Sequence, residues 1–433
     1  MRAAVTALMC LALAACGGAA RLPLEAGIGR RPQLPPPESA LVPAVKVFKA
    51  SGWPAGLTPV AAPGLRVNAF ATGLDHPRWL YTLPNGDVLV AETSGPGTDP
   101  GPPGLKGVFF RMFLKKAGSA VPSANRITLL RDANGDGVAE FRSALLTGLR
   151  SPFGMALLGD ELFVANTDSL IAVPFRPGQT SIGRSRRVVA KLPSGRNHHW
   201  TKSLVASPDG RYLYVGVGSN SNVGENGIAT EQGRAAVWQI DPRTGAAREF
   251  ASGLRNPIGL DFNPWSGALW AVVNERDEIG SDLVPDYITS VRQGAFYGWP
   301  YSYFGQHVAV RVKPPRPDLV ARAIPPDFAL GPHVAALGLT FSTGQRLGAA
   351  FAQGAFVGEH GSWNRIPESG YKVVFVPFAS AQPSGMPVDI LTGFVSGGNA
   401  FGRPVGVQIA RDGSLLVADD VGNTVWRVST AGR

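Results

Sequence analysis

Two adjacent histidines, His198 and His199, stand just ahead of Trp200-Thr201 and a Pro208-Asp209-Gly210 turn. A histidine titrates near neutrality and can take a proton from a hydroxyl, so one at the mouth of a channel is a candidate general base. A hydrogen-bonded structural histidine is the plainer alternative. In an extended segment neighbours face opposite ways, so one of the pair is expected to face a site. Arg255-Asn256 and Arg403 occupy matching places in two other stretches of similar pattern. Charged side chains are rarely buried without a partner. Arginines that converge therefore call for a polyanion held by bidentate pairs, or else for salt bridges between elements. The run Asn274-Glu275-Arg276-Asp277-Glu278, with Asp286 beyond it, is rich in oxygen and lacks Cys and His. Such a set suits a hard cation such as calcium, with a solvated acidic loop as the alternative. Asp132-Ala133-Asn134-Gly135-Asp136-Gly137 matches the start of a calcium loop, but Ser143 stands twelfth, where a bidentate Glu belongs. That stretch reads as a structural calcium turn or an ordinary Asx turn.

The two cysteines, Cys10 and Cys16, both lie in an apolar leader that begins with Arg2. Val5 to Ala15 is too short to span a bilayer and fits a signal h-region. Leu13-Ala14-Ala15-Cys16 looks like a bacterial lipobox, so residues 1–16 are expected to be a lipoprotein signal with Cys16 acylated. Export to the cell envelope or periplasm, anchored to a membrane surface, is the expected location. The body beyond Cys16 has no cysteine, which excludes disulfides, cysteine-ligated metals and thiol nucleophiles. The net charge is +10, but the basic residues are scattered and no nucleic-acid fold motif occurs, so no nucleic-acid partner is expected. No G-x-G-x-x-G in a strand–helix setting, P-loop, G-x-S-x-G or H-E-x-x-H is present either, which removes support for nicotinamide, nucleotide and common hydrolase chemistry.

The elements that must position these residues read as strands. No segment shows a sustained helical period; short β-branched and aromatic runs are broken by Gly, Pro, Asn and Asp. One unit recurs six times: a Gly-rich opening, an apolar strand, a turn and a second apolar strand. The openings are Gly73-Leu74-Asp75-His76-Pro77, Gly148-Leu149-Arg150-Ser151-Pro152, His199-Trp200-Thr201, Gly253-Leu254-Arg255-Asn256-Pro257, Gly338-Leu339-Thr340-Phe341 and Gly402-Arg403-Pro404-Val405. Hairpin-sized repeats at this spacing predict an all-β chain folded as a six-bladed β-propeller over residues 61–433, its opening segments converging on the axis. The strand around Leu65-Arg66-Val67-Asn68 is expected to pair with Val425-Trp426-Arg427-Val428 and close the ring. Residues 17–60, rich in Pro and Gly, read as a linker that holds the domain off the membrane.

On these motifs the chain resembles the PQQ-dependent sugar dehydrogenases, the soluble glucose and aldose dehydrogenases, and most of all their L-sorbosone dehydrogenase-like branch. The resemblance runs from about residue 65 to the end through His198-His199-Trp200, Gly253-Leu254-Arg255-Asn256-Pro257, Tyr297-Gly298-Trp299-Pro300 and Gly402-Arg403-Pro404-Val405, in order. It implies pyrroloquinoline quinone (PQQ) on the axis, His199 as base, Arg255 and Asn256 beside the reactive carbonyl, and Arg403 on the cofactor. It also implies calcium held by backbone carbonyls at Asp277 and Glu278 and by the Asp286 carboxylate. The implied activity is oxidation of a sugar or sugar aldehyde to a lactone or acid, with electrons passing to a quinone pool or a cytochrome. Three family positions depart: the acid that tunes the base falls near Ser219 or Asn220, a second cofactor arginine is replaced by Phe401, and a lysine has no match near Ser342. A calcium-dependent propeller lactonase and a non-catalytic envelope propeller are the competing expectations.

Overall fold

The computed structural model describes residues 17–431 apart from 41, 102, 103 and 184; Cys16 and the signal segment lie outside the described residues. The chain is all-β in its body. Each of the six sequence units forms the two innermost strands of one sheet, and six sheets have four or more strands.

The first sheet runs Pro77–Thr82, Val88–Glu92, Arg126–Arg131, Phe141–Leu146, and the others repeat this antiparallel meander. The innermost strands of the next five are Met155–Leu158, Lys202–Ala206, Asn256–Phe262, Ala336–Phe341 and Pro404–Ile409. Each of these packs on the innermost strand of the following sheet, and Pro404–Ile409 packs back on Pro77–Thr82. Close approach sets this ring. A Cβ on Gly338 would sit 2.2 Å from the carbonyl oxygen of Val405, so only glycine fits there.

Burial follows from the stacking. The second strands, such as Leu213–Val217 and Leu415–Asp419, are buried on both faces because each sheet lies between two others. The outer strands Phe141–Leu146 and Ala247–Ser252 are exposed over their first residues and buried only toward their ends. One core cluster combines Leu89, Leu129, Phe153 and Leu162 with Ile258, Leu337 and Val405, one from each of three further innermost strands. The sixth sheet takes its outer strand from the other end of the chain: Leu65–Ala71 pairs antiparallel with Thr424–Thr430, with Asn68 opposite Arg427, as expected.

Two expectations change. Residues 17–60 do not stand off as a spacer. Ile28–Gly29 adds to the edge of the fourth sheet, Lys49–Ala50 pairs with Asn399–Ala400, and Glu38 N–H donates to the carbonyl of Ile279. Proline removes donors but leaves the residues between free to pair, so the segment straps the domain. The chain is also not free of helix. Gly104–Lys116 is helical, inside the long insertion that follows the first unit. It shows no period because its apolar residues go all the way round. No helix among the described residues is long and apolar enough to cross a membrane.

Candidate active site

The opening segments bring together two groups of side chains. The first joins the third and fourth sheets. His199 lies in an irregular segment just before Lys202–Ala206, not in a strand. His198 and His199 therefore do not face opposite ways: their rings meet edge to face with centroids 4.8 Å apart. His199 Nδ1 lies 2.9 Å from the carbonyl oxygen of Ser219 and 3.0 Å from its Oγ. That hydroxyl donates its own hydrogen to the Ser221 carbonyl at 2.6 Å. Both oxygens thus accept at Nδ1, which carries the ring hydrogen and leaves Nε2 as the basic nitrogen. No hydrogen bond engages Nε2 among the described residues. Burial, then the charges of Arg255 and His198, hold the imidazole well below its usual range, so it is neutral. The position where an acid was missing is thus filled by a serine that orients the base through its backbone. His198 has its own acid: Nδ1 is 2.7 Å from Asp99, which reaches in from the insertion.

Arg255 is buried and engaged on all sides. Nη1 donates to the Glu275 carbonyl at 2.7 Å, and Nη2 to Asn222 Oδ1 at 3.1 Å and Asp277 Oδ2 at 3.2 Å. Asn256 next to it is buried with Oδ1 unpartnered. Gly218 makes room for both neighbours: a Cβ there would sit 2.3 Å from Asn256 Oδ1 and 2.5 Å from His199 Cβ.

Of the proposed cation ligands, Asp277 contacts this arginine. Asp277 Oδ1 is 3.3 Å from His333 Nδ1. Burial opposes its ionisation, but His333 and Arg255 outweigh that and its carboxyl lies below the usual range. Glu278 donates its backbone N–H to Asn364 Oδ1 at 2.7 Å, and its side chain pairs with Arg311. Asp286 accepts the amides of Glu275 at 2.8 Å and Ala335 at 2.6 Å, one on each oxygen. Burial pushes it up to about 7 and Glu275 to about 6. The donors are all oxygen, which suits calcium in donor type, but the side-chain oxygens of Asp277, Glu278 and Asp286 do not all come within 4.8 Å of one another. Among the described residues, the His, Cys, Asp or Glu trio whose ligand atoms lie within 4.8 Å of one another is elsewhere: Asp132, Asp136 and Glu140. Glu140, three residues before Ser143, brings a third carboxylate to this turn. Asp132 and Asp136 there also accept the turn's own amides, as an Asx turn does.

The second group joins the first, fifth and sixth sheets, and the sequence showed only part of it. Asp420 Oδ2 accepts Arg78 Nη1 at 2.5 Å and lies 2.9 Å from His360 Nε2 and 3.5 Å from His76 Nε2. His360, His76 and Arg78 outweigh burial and keep Asp420 ionised far below the usual range. Burial lowers His360 to about 4. Arg403 is buried beside this cluster. Nη2 donates to the Tyr371 hydroxyl at 3.3 Å, its guanidinium lies 5.3 Å from the Tyr371 ring centroid, and Nε has no partner. Arg78 thus takes the one carboxylate of this cluster, and Arg403 beside it has no acidic partner among the described residues. This excess of positive charge and the unpartnered Nε fit a polycarboxylate cofactor. Phe401, where the resemblance has a second arginine, packs on Trp53, and Arg78 brings a second arginine to this cluster instead. Its signal was present: the first unit carries an arginine in its innermost strand where the others have Phe153, Ile258 and Val405. Ser342 plays no part here; it clips Ala352 and Gly354 within the fifth sheet. Arg78 lies 5.6 Å from the Trp200 ring centroid and so links the two groups.

The comparisons agree with this architecture. The Trichoderma reesei enzyme of carbohydrate-active family AA12, solved with iodide and with calcium, superposes with TM-scores of 0.69 and 0.68 at 20% identity, over 86% of this chain and 97–98% of that one. The holo PQQ domain of pyranose dehydrogenase from Coprinopsis cinerea superposes with a TM-score of 0.68 at 21% identity, over 88% of this chain and 100% of that one. In sequence, the PQQ-dependent pyranose dehydrogenase of Coprinopsis cinerea is 35% identical over 300 residues, which cover 54% of this chain and 40% of that enzyme's length. The TrAA12-like family model matches residues 124–292 and 316–431, spanning the segments that supply His199, Arg255, Asn256, Arg403 and Asp420, and the chain belongs to the TrAA12-like family.

Proposed function

We propose that the chain is a PQQ- and calcium-dependent dehydrogenase that oxidises a sugar or sugar aldehyde to a lactone or acid. In this reading each of the six sheets is one blade of a propeller, with the cofactor on its axis. The observation that carries it is His199, locked by the Ser219 carbonyl into the tautomer that leaves Nε2 without a hydrogen bond, and buried beside Arg255. The names of the relatives support it: PQQ-dependent pyranose dehydrogenase and the calcium form of the AA12 enzyme.

His199 Nε2 takes the proton of the anomeric or hydrate hydroxyl. When bound, the quinone supplies the two-electron acceptor to which the sugar carbon loses its hydride, chemistry that no side chain here can perform. Arg403 and Arg78 would hold cofactor carboxylates. Arg255 and Asn256 would lie beside the reactive carbonyl, where fixed donors stabilise developing negative charge. Calcium would be held by the Asp277 and Glu278 carbonyls and by Asp286. The same reading includes export, acylation at Cys16, and transfer of electrons to a membrane quinone or a cytochrome.

The test is reconstitution. Purified protein given PQQ and calcium should bind the quinone, and an aldose or sorbosone-like aldehyde should change its absorbance in one turnover. A protein that binds no PQQ at micromolar concentration would sink the reading. Hydrolysis of a lactone by protein free of quinone would favour the lactonase instead.

A further inference from the structure

The insertion after Val88–Glu92 leaves the first sheet, bonds His198 through Asp99, and then forms the helix Gly104–Lys116. The helix is followed by Gly118, which packs on the side chains of Ala50 and Val421. Its sequence holds four basic residues and no acidic one. One side is covered: Gly107 is buried, and Phe113 and Leu114 are half-buried. The other side is open. Val108, Phe109 and Met112 are 45%, 54% and 58% exposed, and Arg111, Lys115 and Lys116 are exposed around them. At 3.6 residues per turn these six share one arc. Val108, Met112 and Lys115 run along its centre, Arg111 lies on one flank, and Phe109 and Lys116 lie on the other.

A helix that is apolar all round is normally buried all round. Three large apolar side chains on a single exposed face mark a contact surface. Its cationic border, with no acid in the helix, selects a partner that is negative over a broad area and apolar just beneath. We infer that this helix docks on an anionic lipid surface and lies in the plane of the interface. Val108, Phe109 and Met112 enter the acyl region while Arg111, Lys115 and Lys116 stay at the phosphates. Acylation at Cys16, as proposed above, would put a membrane within reach of the same chain. Docking would hold the end of the domain that carries Asp99 and His198 toward the lipid, a role independent of the sugar-oxidation reading.

Full-length chain made by cell-free synthesis carries no acyl group and allows a direct test. It should float with vesicles of phosphatidylcholine and phosphatidylglycerol, float less with phosphatidylcholine alone, and detach as salt rises. Arg111→Gln, Lys115→Gln and Lys116→Gln should each weaken binding to the anionic vesicles about fivefold. Phe109→Ser with Met112→Ser should weaken it by about tenfold or more. The apolar leader is common to all variants and cannot produce these differences. Phe109→Trp should add a fluorescence component quenched by brominated acyl chains. Activity with a soluble acceptor should stay unchanged throughout. Equal flotation of the native and double-serine chains, or absence of quenching, overturns the proposal. A dimer that the serine pair abolishes, without vesicle binding, would assign the face to a second copy and overturn it equally.

Discussion

The hydrogen in the contact between His199 and Ser219 can come only from the ring, since a carbonyl has none to give. This makes the base independent of a neighbouring carboxylate, and its low proton affinity follows from burial beside Arg255. The base must be neutral to act, so the rate should fall only as pH drops through a value well under 6.5, and a pH–rate profile of quinone reduction checks this. His199→Ala should lower single-turnover reduction by about 10²–10⁴-fold with quinone still bound. Near-native reduction by that variant would move the role to His198 or His360. On the cofactor side, Arg78→Ala and Arg403→Ala should each weaken PQQ binding by about 10- to 100-fold, from the loss of a charge-assisted contact. Titration of apo-protein with PQQ measures it, and unchanged affinity in both would remove the anion site. His199, Arg255 and Arg403 were legible because their units repeat and their types are unusual in such openings. Asp420, Asp99 and Asn222 were not. Each meets its partner across a large sequence separation, and nothing local distinguishes an aspartate that collects cations from one at a turn.

At the scale of the strand and loop, small residues decide how closely the site groups approach. Gly218 follows Leu213–Val217 and faces both Asn256 and His199. Gly218→Ala would force one of them aside, and overpacking of this kind typically costs about 1–3 kcal/mol. Turnover should fall while the melting temperature drops by only a few degrees. Full turnover with the alanine would show that the base has slack. Innermost strands, turns and the pairing of Leu65–Ala71 with Thr424–Thr430 were readable from alternation and turn chemistry. The Gly104–Lys116 helix was not, because a face open to a lipid partner erases the periodicity by which helices are recognised.

Over the whole molecule, the ring of six sheets places residues from distant repeats within hydrogen-bond reach, and the strap formed by residues 17–60 ties its fourth sheet from outside. The repeats exposed this plan in advance; the strap stayed hidden because proline-rich composition does not tell a packed extended segment from a free one. The sixth sheet borrows its outer strand from the opposite end of the chain. In time rather than space, a strand made early must wait for the one made last. Leu65–Ala71 emerges more than three hundred residues before Thr424–Thr430, and until then the two sides of the Arg78–Asp420 pair are not joined. Ring and cofactor pocket are therefore completed in a single late event. A chain ending at Asp420 should carry five finished sheets, bind no PQQ, and be cut readily by protease between residues 62 and 76, whereas the intact chain should resist there.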